Sequence, residues 1–179
     1  MRARLAIIAF AAVAGLLSCC AAATGAVTGA LLWGDDVYHR LLRARADSVR
    51  VGEAGRDGRL EFLVTGVTCA VRRVGDPFVS QAAVGQFCLV DLVVRNVGGR
   101  PATFADALQR AYGPDGARYA VDSAAGILAN PDQQVFLNQL NPGNRVSGVL
   151  VYDIPPEGKL AELELHESDD SAGLRVTLS

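Results

Sequence analysis

The chain has 179 residues, 50% hydrophobic and 20% charged, with a formal net charge of −2. That length suits one ordinary domain. The cations are arginines apart from Lys159 and lie scattered among acids, so nothing resembles the basic stripe of a nucleic-acid binder, and no nucleic-acid partner is expected.

The first segment is set apart before any fold is argued. Arg2 and Arg4 precede an uncharged run from Leu5 to Trp33, and Asp35 and Asp36 follow it. The run exceeds the roughly 20 residues that cross a hydrocarbon core. Positive charge before it and negative charge after it predict a cytoplasmic N-terminus and an exported remainder. Three readings compete. One is an uncleaved transmembrane helix. The second is a lipoprotein signal, in which Leu16-Leu17-Ser18-Cys19 offers Cys19 for lipidation. The third is a signal cleaved after Ala21-Ala22-Ala23. All three place the C-terminal domain on the extracytoplasmic side of the cytoplasmic membrane, and the first two tie it there.

Residues 1–34 are therefore read as membrane anchor or signal, 35–58 as juxtamembrane stalk and linker, and 59–179 as the folded domain. In the stalk, Asp35 or Asp36 would cap a short helix running to Val49. Glu53 to Gly58 reads as a loop with two glycines and no periodicity.

Leu60–Val71 is predicted as a strand. Leu60, Phe62 and Val64 share one phase and Val67 and Cys69 the other, so a bulge near Gly66 would turn both sets to the core. Arg72–Gly85 reads as a long loop around Gly75-Asp76-Pro77. Gln86–Val97 is the strand that organises the chain. Cys88, Val90, Leu92 and Val94 make one apolar face, and Phe87, Leu89 and Val93 a second face interrupted by Asp91 and Arg95. A strand apolar on both sides belongs in the middle of a sheet. Cysteines of an exported domain are expected to be oxidised, and Cys69 and Cys88 lie on consecutive strands, so they should form a disulfide bond.

Ala102–Ala105 is a candidate edge strand. Gln109–Tyr112 and Ala117–Val121 flank Gly113-Pro114-Asp115-Gly116, a hairpin signal. Asp122–Asn130 reads as a helical turn or a loop, and Gln134–Leu140 carries no clear pattern. Arg145–Ile154 is a strand with Val146, Leu150, Tyr152 and Ile154 on one face. Alternation returns at Leu163 and Leu165 and at Leu174, Val176 and Leu178. Short strands separated by turns, with no long amphipathic helix among them, predict an all-β antiparallel sandwich of the immunoglobulin-like kind.

Several of these motifs in this order resemble a bacterial extracytoplasmic family of unknown function. They are Cys69, Gly85-Gln86-Phe87-Cys88, Val93 to Gly98, Tyr112 to Gly116, Asn141-Pro142-Gly143, Gly148 to Pro155, and Leu163 to His166. The family is similar in fold to a small secreted immunogenic antigen of mycobacteria. The resemblance covers about Leu60–Ser179 and implies an immunoglobulin-like sandwich, export and anchoring. It brings no catalytic residues.

The remaining polar residues offer few chemical constellations. His166 is the only histidine of the expected domain, and Glu162 and Glu164 alternate with it on the expected outer face of a strand. Together with Asp169 or Asp170 they would be a metal site or a hydrolytic centre of an envelope accessory factor. Asp115, Asp122 and Asp132 are loop acids without the ligand run of a calcium loop. No phosphate-cradling loop, nucleophile elbow or zinc spacing stands out. The expectation is a non-enzymatic, cofactor-free interaction module with a cell-envelope protein as partner. The Arg72–Gly85 loop, with Arg72, Arg73 and Phe78, is the contact candidate, and Asp122–Leu140 the second surface.

Overall fold

The computed structural model describes residues 47–131 and 139–178, which lie within one compact unit, Arg45–Ser179. The expected membrane segment, with Cys19, and the expected stalk helix up to Ala46 lie outside them. Among the described residues no helix is long and apolar enough to cross a membrane.

Eleven strands are described. β2 (Ala54–Asp57), β3 (Leu60–Gly75), β4 (Ser80–Asn96) and β9 (Arg145–Ile154) form one antiparallel sheet in that order. β1 (Asp47–Arg50), β11 (Leu174–Thr177), β10 (Glu162–Leu165), β6 (Arg110–Tyr112) and β7 (Arg118–Ala120) form the other. A small ladder joins β5 (Ala102–Thr103) to β8 (Gln139–Leu140). The molecule is a β-sandwich.

Gln86–Val97 holds the predicted central place, with β3 on one side and β9 on the other. Its two faces serve two cores. Cys88, Val90, Leu92 and Val94 meet Leu60, Phe62, Leu150 and Tyr152 in the main core, against Leu163, Leu165, Leu174 and Val176 of the second sheet. Phe87 and Val151 point outward and join Val74 and Ala125 in a smaller core. Each fully buried Val, Leu or Phe contributes on the order of 2 kcal/mol, so these two faces carry much of the fold.

The Gly66 bulge is present as a register shift between Val64 and Gly66, and Val67 and Cys69 then pack against the main core. Cys69 and Cys88 are disulfide-bonded. Beside the disulfide, Ala70 takes a left-handed φ of 63°. A side chain there costs roughly 1–2 kcal/mol, and a buried amide holds the backbone in place. Gln86 is 7% exposed. Its Oε1 accepts from Ala70 N–H at 2.8 Å. Its amide group lies 2.6–3.1 Å from the carbonyl oxygens of Pro155, Pro156 and Gly158.

Three sequence expectations need correction. The described part of the segment read as stalk and linker, from Asp47 on, is part of the sandwich: Asp47–Arg50 pairs in parallel with Leu174–Thr177, and Ala54–Asp57 pairs with Leu60–Leu63. The described fold therefore begins before Arg59. Its local signal is weak because Val49 is its one large apolar side chain packed against the core, and the partner of Asp47–Arg50 lies at the far end of the chain. Asp57 is buried and accepts from Glu167 N–H at 2.7 Å and Gly173 N–H at 3.0 Å. Second, Arg72–Gly85 is not a long loop. β3 continues to Gly75 and β4 starts at Ser80, leaving a tight turn. Third, Asp122–Asn130 contains a true helix, α1 (Ser123–Ala129), capped by the Asp122 side chain on Ala125 N–H. The segment also covers the free edge of β9. Asp122 N–H donates to Val151 O at 2.8 Å, and the Asn130 side chain pairs with both backbone groups of Val149. An edge so occupied is closed to another strand.

Replacing Gln86 by Ala orphans Ala70 N–H and removes the donor shared by three carbonyls, so Gln86→Ala should lower stability by about 2 kcal/mol. Ala70→Gly relieves the left-handed side chain and should raise stability, by up to about 1 kcal/mol. Urea unfolding of both variants checks this, and Gln86→Ala matching the parent would refute the role given to the amide.

Candidate functional site

The two candidate surfaces read from the sequence, the Arg72–Gly85 stretch and the Asp122 region, meet at one groove. The β3–β4 ribbon outruns both of its neighbours. β2 covers only Leu60–Leu63, and β9 pairs with β4 only from Gln86 onward. Val71 to Val84 is thus a projecting arm. Its turn is built by Asp76, whose carboxylate accepts from Phe78 N–H and Val79 N–H, both at 2.7 Å, while Asp76 N–H donates to Val79 O. Those two N–H groups, Val79 first, hold the Asp76 carboxyl below the usual aspartate range. Gly75 has φ +102°, and a side chain there would run into the Val79 carbonyl.

Between the arm and α1 lies a groove of about 390 Å³. Val71, Val74 and Leu89 form its sheet side, and Ile127, Leu128, Ala129 and Pro131 its helix side. Arg73, Asp76 and Val79 also line it. Phe78, at the tip, is 94% exposed, with Val79 at 60% and Ile127 at 68%. An exposed apolar cluster of this kind beside a concave surface is a feature of contact sites.

The three sequence candidates separate here. Arg73 lines the groove and donates to Ser80 Oγ at 2.9 Å. Phe78 caps the tip. Arg72 reaches across the ribbon to Gly85 O at 3.2 Å, which braces the arm. Neither arginine has an ion-pair partner recorded among the described residues. Gln81 ties the arm to the cap of α1 through Asp122 Oδ2 at 2.8 Å. Sequence reasoning missed Ile127 and Leu128 as groove residues; Ile127-Leu128 at the end of a small-residue run was the available signal.

The His166 region is arranged differently from the expectation. Glu164 is not on a solvated face: it is 6% exposed, with Oε2 accepting from Tyr112 O–H at 2.6 Å. His166 Nε2 lies 3.3 Å from Glu164 Oε1, and Nδ1 lies 3.1 Å from Ser171 Oγ. The Ser171 hydroxyl donates to Ser168 O at 2.8 Å, which leaves its oxygen to accept from the ring. Glu162 is elsewhere, paired with Arg175 at 3.3 Å, and Asp170 accepts from Ser168 O–H. Hence, of the acids proposed beside His166 as metal ligands, Glu164 lies against the ring, while Glu162 and Asp170 are engaged elsewhere. Among the described residues no group of three His, Cys, Asp or Glu is placed to hold a metal ion. Acid, imidazole and hydroxyl do form a line, but the hydroxyl is engaged with the backbone and the ring lies against Gly173. Gln109, fully buried, completes the region by bonding both backbone groups of His166. The arrangement staples the end of β10 to the loop before β11. Of the calcium candidates, Asp122 caps α1 and Asp115 accepts from Ala117 N–H, while Asp132 lies outside the described residues.

A family model described as a domain of unknown function, DUF4352, matches residues 49–175. The chain belongs to this family. No curated protein matches it. Among solved structures it is similar to MPT63, a secreted protein from Mycobacterium tuberculosis, at TM-score 0.55 and 17% identity, over 75% of this chain and 97% of that one. It is also similar to the yjhA protein from Bacillus subtilis, at TM-score 0.51 and 16% identity, over 73% of this chain and 99% of that one. These likenesses are to the fold, and they agree with the sandwich predicted from the strand pattern and the family resemblance.

Because His166 contacts the buried Glu164 and Ser171, His166→Ala removes both side-chain contacts and should cost about 1–3 kcal/mol. Glu162→Ala, at a half-exposed pair with Arg175, should cost under about 1 kcal/mol. Thermal unfolding of the two variants side by side tests the ranking, and equal losses would contradict it. A separate test concerns the turn: the amide signals of Phe78 and Val79 should titrate together by NMR below the ordinary aspartate range, because Asp76 keeps its charge and holds the turn until the pH falls that low.

Proposed function

We propose that this DUF4352 protein is an extracytoplasmic interaction module, tethered to the cytoplasmic membrane by its N-terminal segment and acting without catalysis. The domain is read as an immunoglobulin-like sandwich that presents the β3–β4 arm to a cell-envelope protein. The observation that carries the reading is Phe78, a large aromatic side chain 94% exposed on a braced hairpin beside an apolar groove. Leaving such a group in water is unfavourable by about 2 kcal/mol relative to burial, so a partner that covers it gains that much. The bracing matters equally, because a contact loop held in one conformation loses little entropy on binding. Arg72, Asp76 and Gln81 supply that order.

Export is supported by the charge-asymmetric apolar run at the N-terminus and by the disulfide, which persists in oxidising compartments. That a protein of similar fold, MPT63, is described as secreted is in keeping with it.

In-cell crosslinking of the full-length chain, followed by mass spectrometry, tests the reading. A recurrent envelope partner is expected, reduced at least tenfold by Phe78→Asp. The substitution is at an exposed tip and should leave stability within about 0.5 kcal/mol of the parent. Partners captured equally by Phe78→Asp would remove the arm as the contact surface. A partner lost instead with His166→Gln would favour the accessory-factor alternative.

A further inference from the structure

The arm carries both halves of a contact. The projecting half is Phe78 with Val79, and the receiving half is the groove beside it. The charges are paired in the same way. Arg73 lines the groove and, among the described residues, has a serine hydroxyl as its recorded partner. Asp76 also lines it, exposed, with its carboxylate oriented by two backbone N–H groups. A surface with an apolar knob, an apolar hole, one cation and one anion is complementary to itself under a two-fold rotation, the geometry of an isologous dimer.

We infer that the occupant of the groove is a second copy of this chain. Phe78 of each copy enters the groove of the other, and Arg73 of each faces Asp76 of the other. The Arg73 guanidinium at the rim would then lie against the entering ring, a favourable cation–aromatic contact. The inference rests on the arm being the contact surface and names what it contacts.

Two alternatives fit the surface less well. Past the Gly52 N–H bond to Val64 O, no strand among the described residues pairs with the outer side of β3, which would invite an added strand. Its register is broken between Val64 and Gly66, between Thr68 and Val71 and again between Val71 and Arg73, and bulges of this kind keep an edge from pairing. A lipid surface would accept Phe78 but offers nothing to fill the groove. Phe78, Val79 and Ile127 are the large exposed apolar side chains at this surface. A pairing built on so few anchors belongs with the weak interfaces under about 1,200 Å². The dimer is accordingly a reversible one.

The experiment uses the full-length chain in cells, expressed in two versions with different tags. One carries Phe78→p-benzoylphenylalanine, which keeps an aromatic ring at the tip and links on illumination to whatever lies against it. The expected product carries both tags, has twice the chain mass, and is joined at Arg73 or within 127–131 of the other copy. Ile127→Glu in the accepting copy should reduce it at least tenfold. Ile127 is 68% exposed, so that substitution spares the fold, and Arg73→Glu should act in the same direction. Adducts only to a different envelope protein would overturn self-association while leaving the arm as the contact surface. Adducts only to lipid would overturn both readings. A doubly tagged product insensitive to Ile127→Glu and Arg73→Glu would overturn the assigned geometry.

Discussion

The structure depends on the pairing of β3 with β4. This ribbon is the longest element, and both cores are made on its faces. Cys88, Val90, Leu92 and Val94 build the main one, and Phe87 and Val74 build the smaller one under α1. A ribbon this long with three register shifts is at risk of slipping, since a slip of one residue exchanges the faces. The disulfide and Gln86 act at that point. The covalent link fixes Cys69 against Cys88, and the buried amide holds the left-handed turn at Ala70 while fastening the chain after β9. Closing the 19-residue separation of the two cysteines is worth roughly 3 kcal/mol on the chain-entropy model.

The same pairing produces the surface read as functional. Because β3 and β4 run past β2 and β9, the ribbon continues as an arm without leaving the sheet. Its root packs into the smaller core through Val71 and Val74, and its tip exposes Phe78. Elsewhere the molecule uses its polar groups inward. Asn96 bonds the carbonyls of Arg100 and Leu140, Gln109 bonds His166, and Asp57 holds the loop before β11. Each fixes irregular backbone that no ladder serves. The Glu164–His166–Ser171 line likewise ties the end of β10 to the loop before β11.

Where apolar alternation is strong, the sequence predicts the strand. Gln86–Val97 and Arg145–Ile154 were legible with the side chains on the correct faces, because each carries two apolar faces of opposite phase. The bulge at Gly66 was legible from a phase change at a glycine, and the disulfide from two cysteines on neighbouring strands. The arm was not, for a physical reason. Most of it is wet on both sides, so Arg72, Arg73, Ser80 and Gln81 give no period, and Asp76-Pro77 looks like any loop. β1 was missed because its partner, β11, lies at the far end of the chain, and β2, although it pairs with the adjacent β3, because Ala54-Gly55-Arg56-Asp57 carries no apolar alternation. Glu164 was misjudged because alternation places a side chain on the outer face but cannot say that Tyr112 and His166 cover it there. The groove was half visible: Arg73 and Phe78 were picked out, but Ile127 and Leu128 come to it only through α1 packing on the sheet.

Hydrogen exchange of the full-length chain in membrane suspension, compared with Phe78→Asp, tests the central claim most directly. Val90–Val94 should exchange slowest in both, and, with a partner covering the arm as proposed, amides of Val71–Val84 should be protected in the parent and exposed in the variant. Arm amides that exchange alike in parent and variant, or a slowest core lying in the five-stranded sheet, would contradict it.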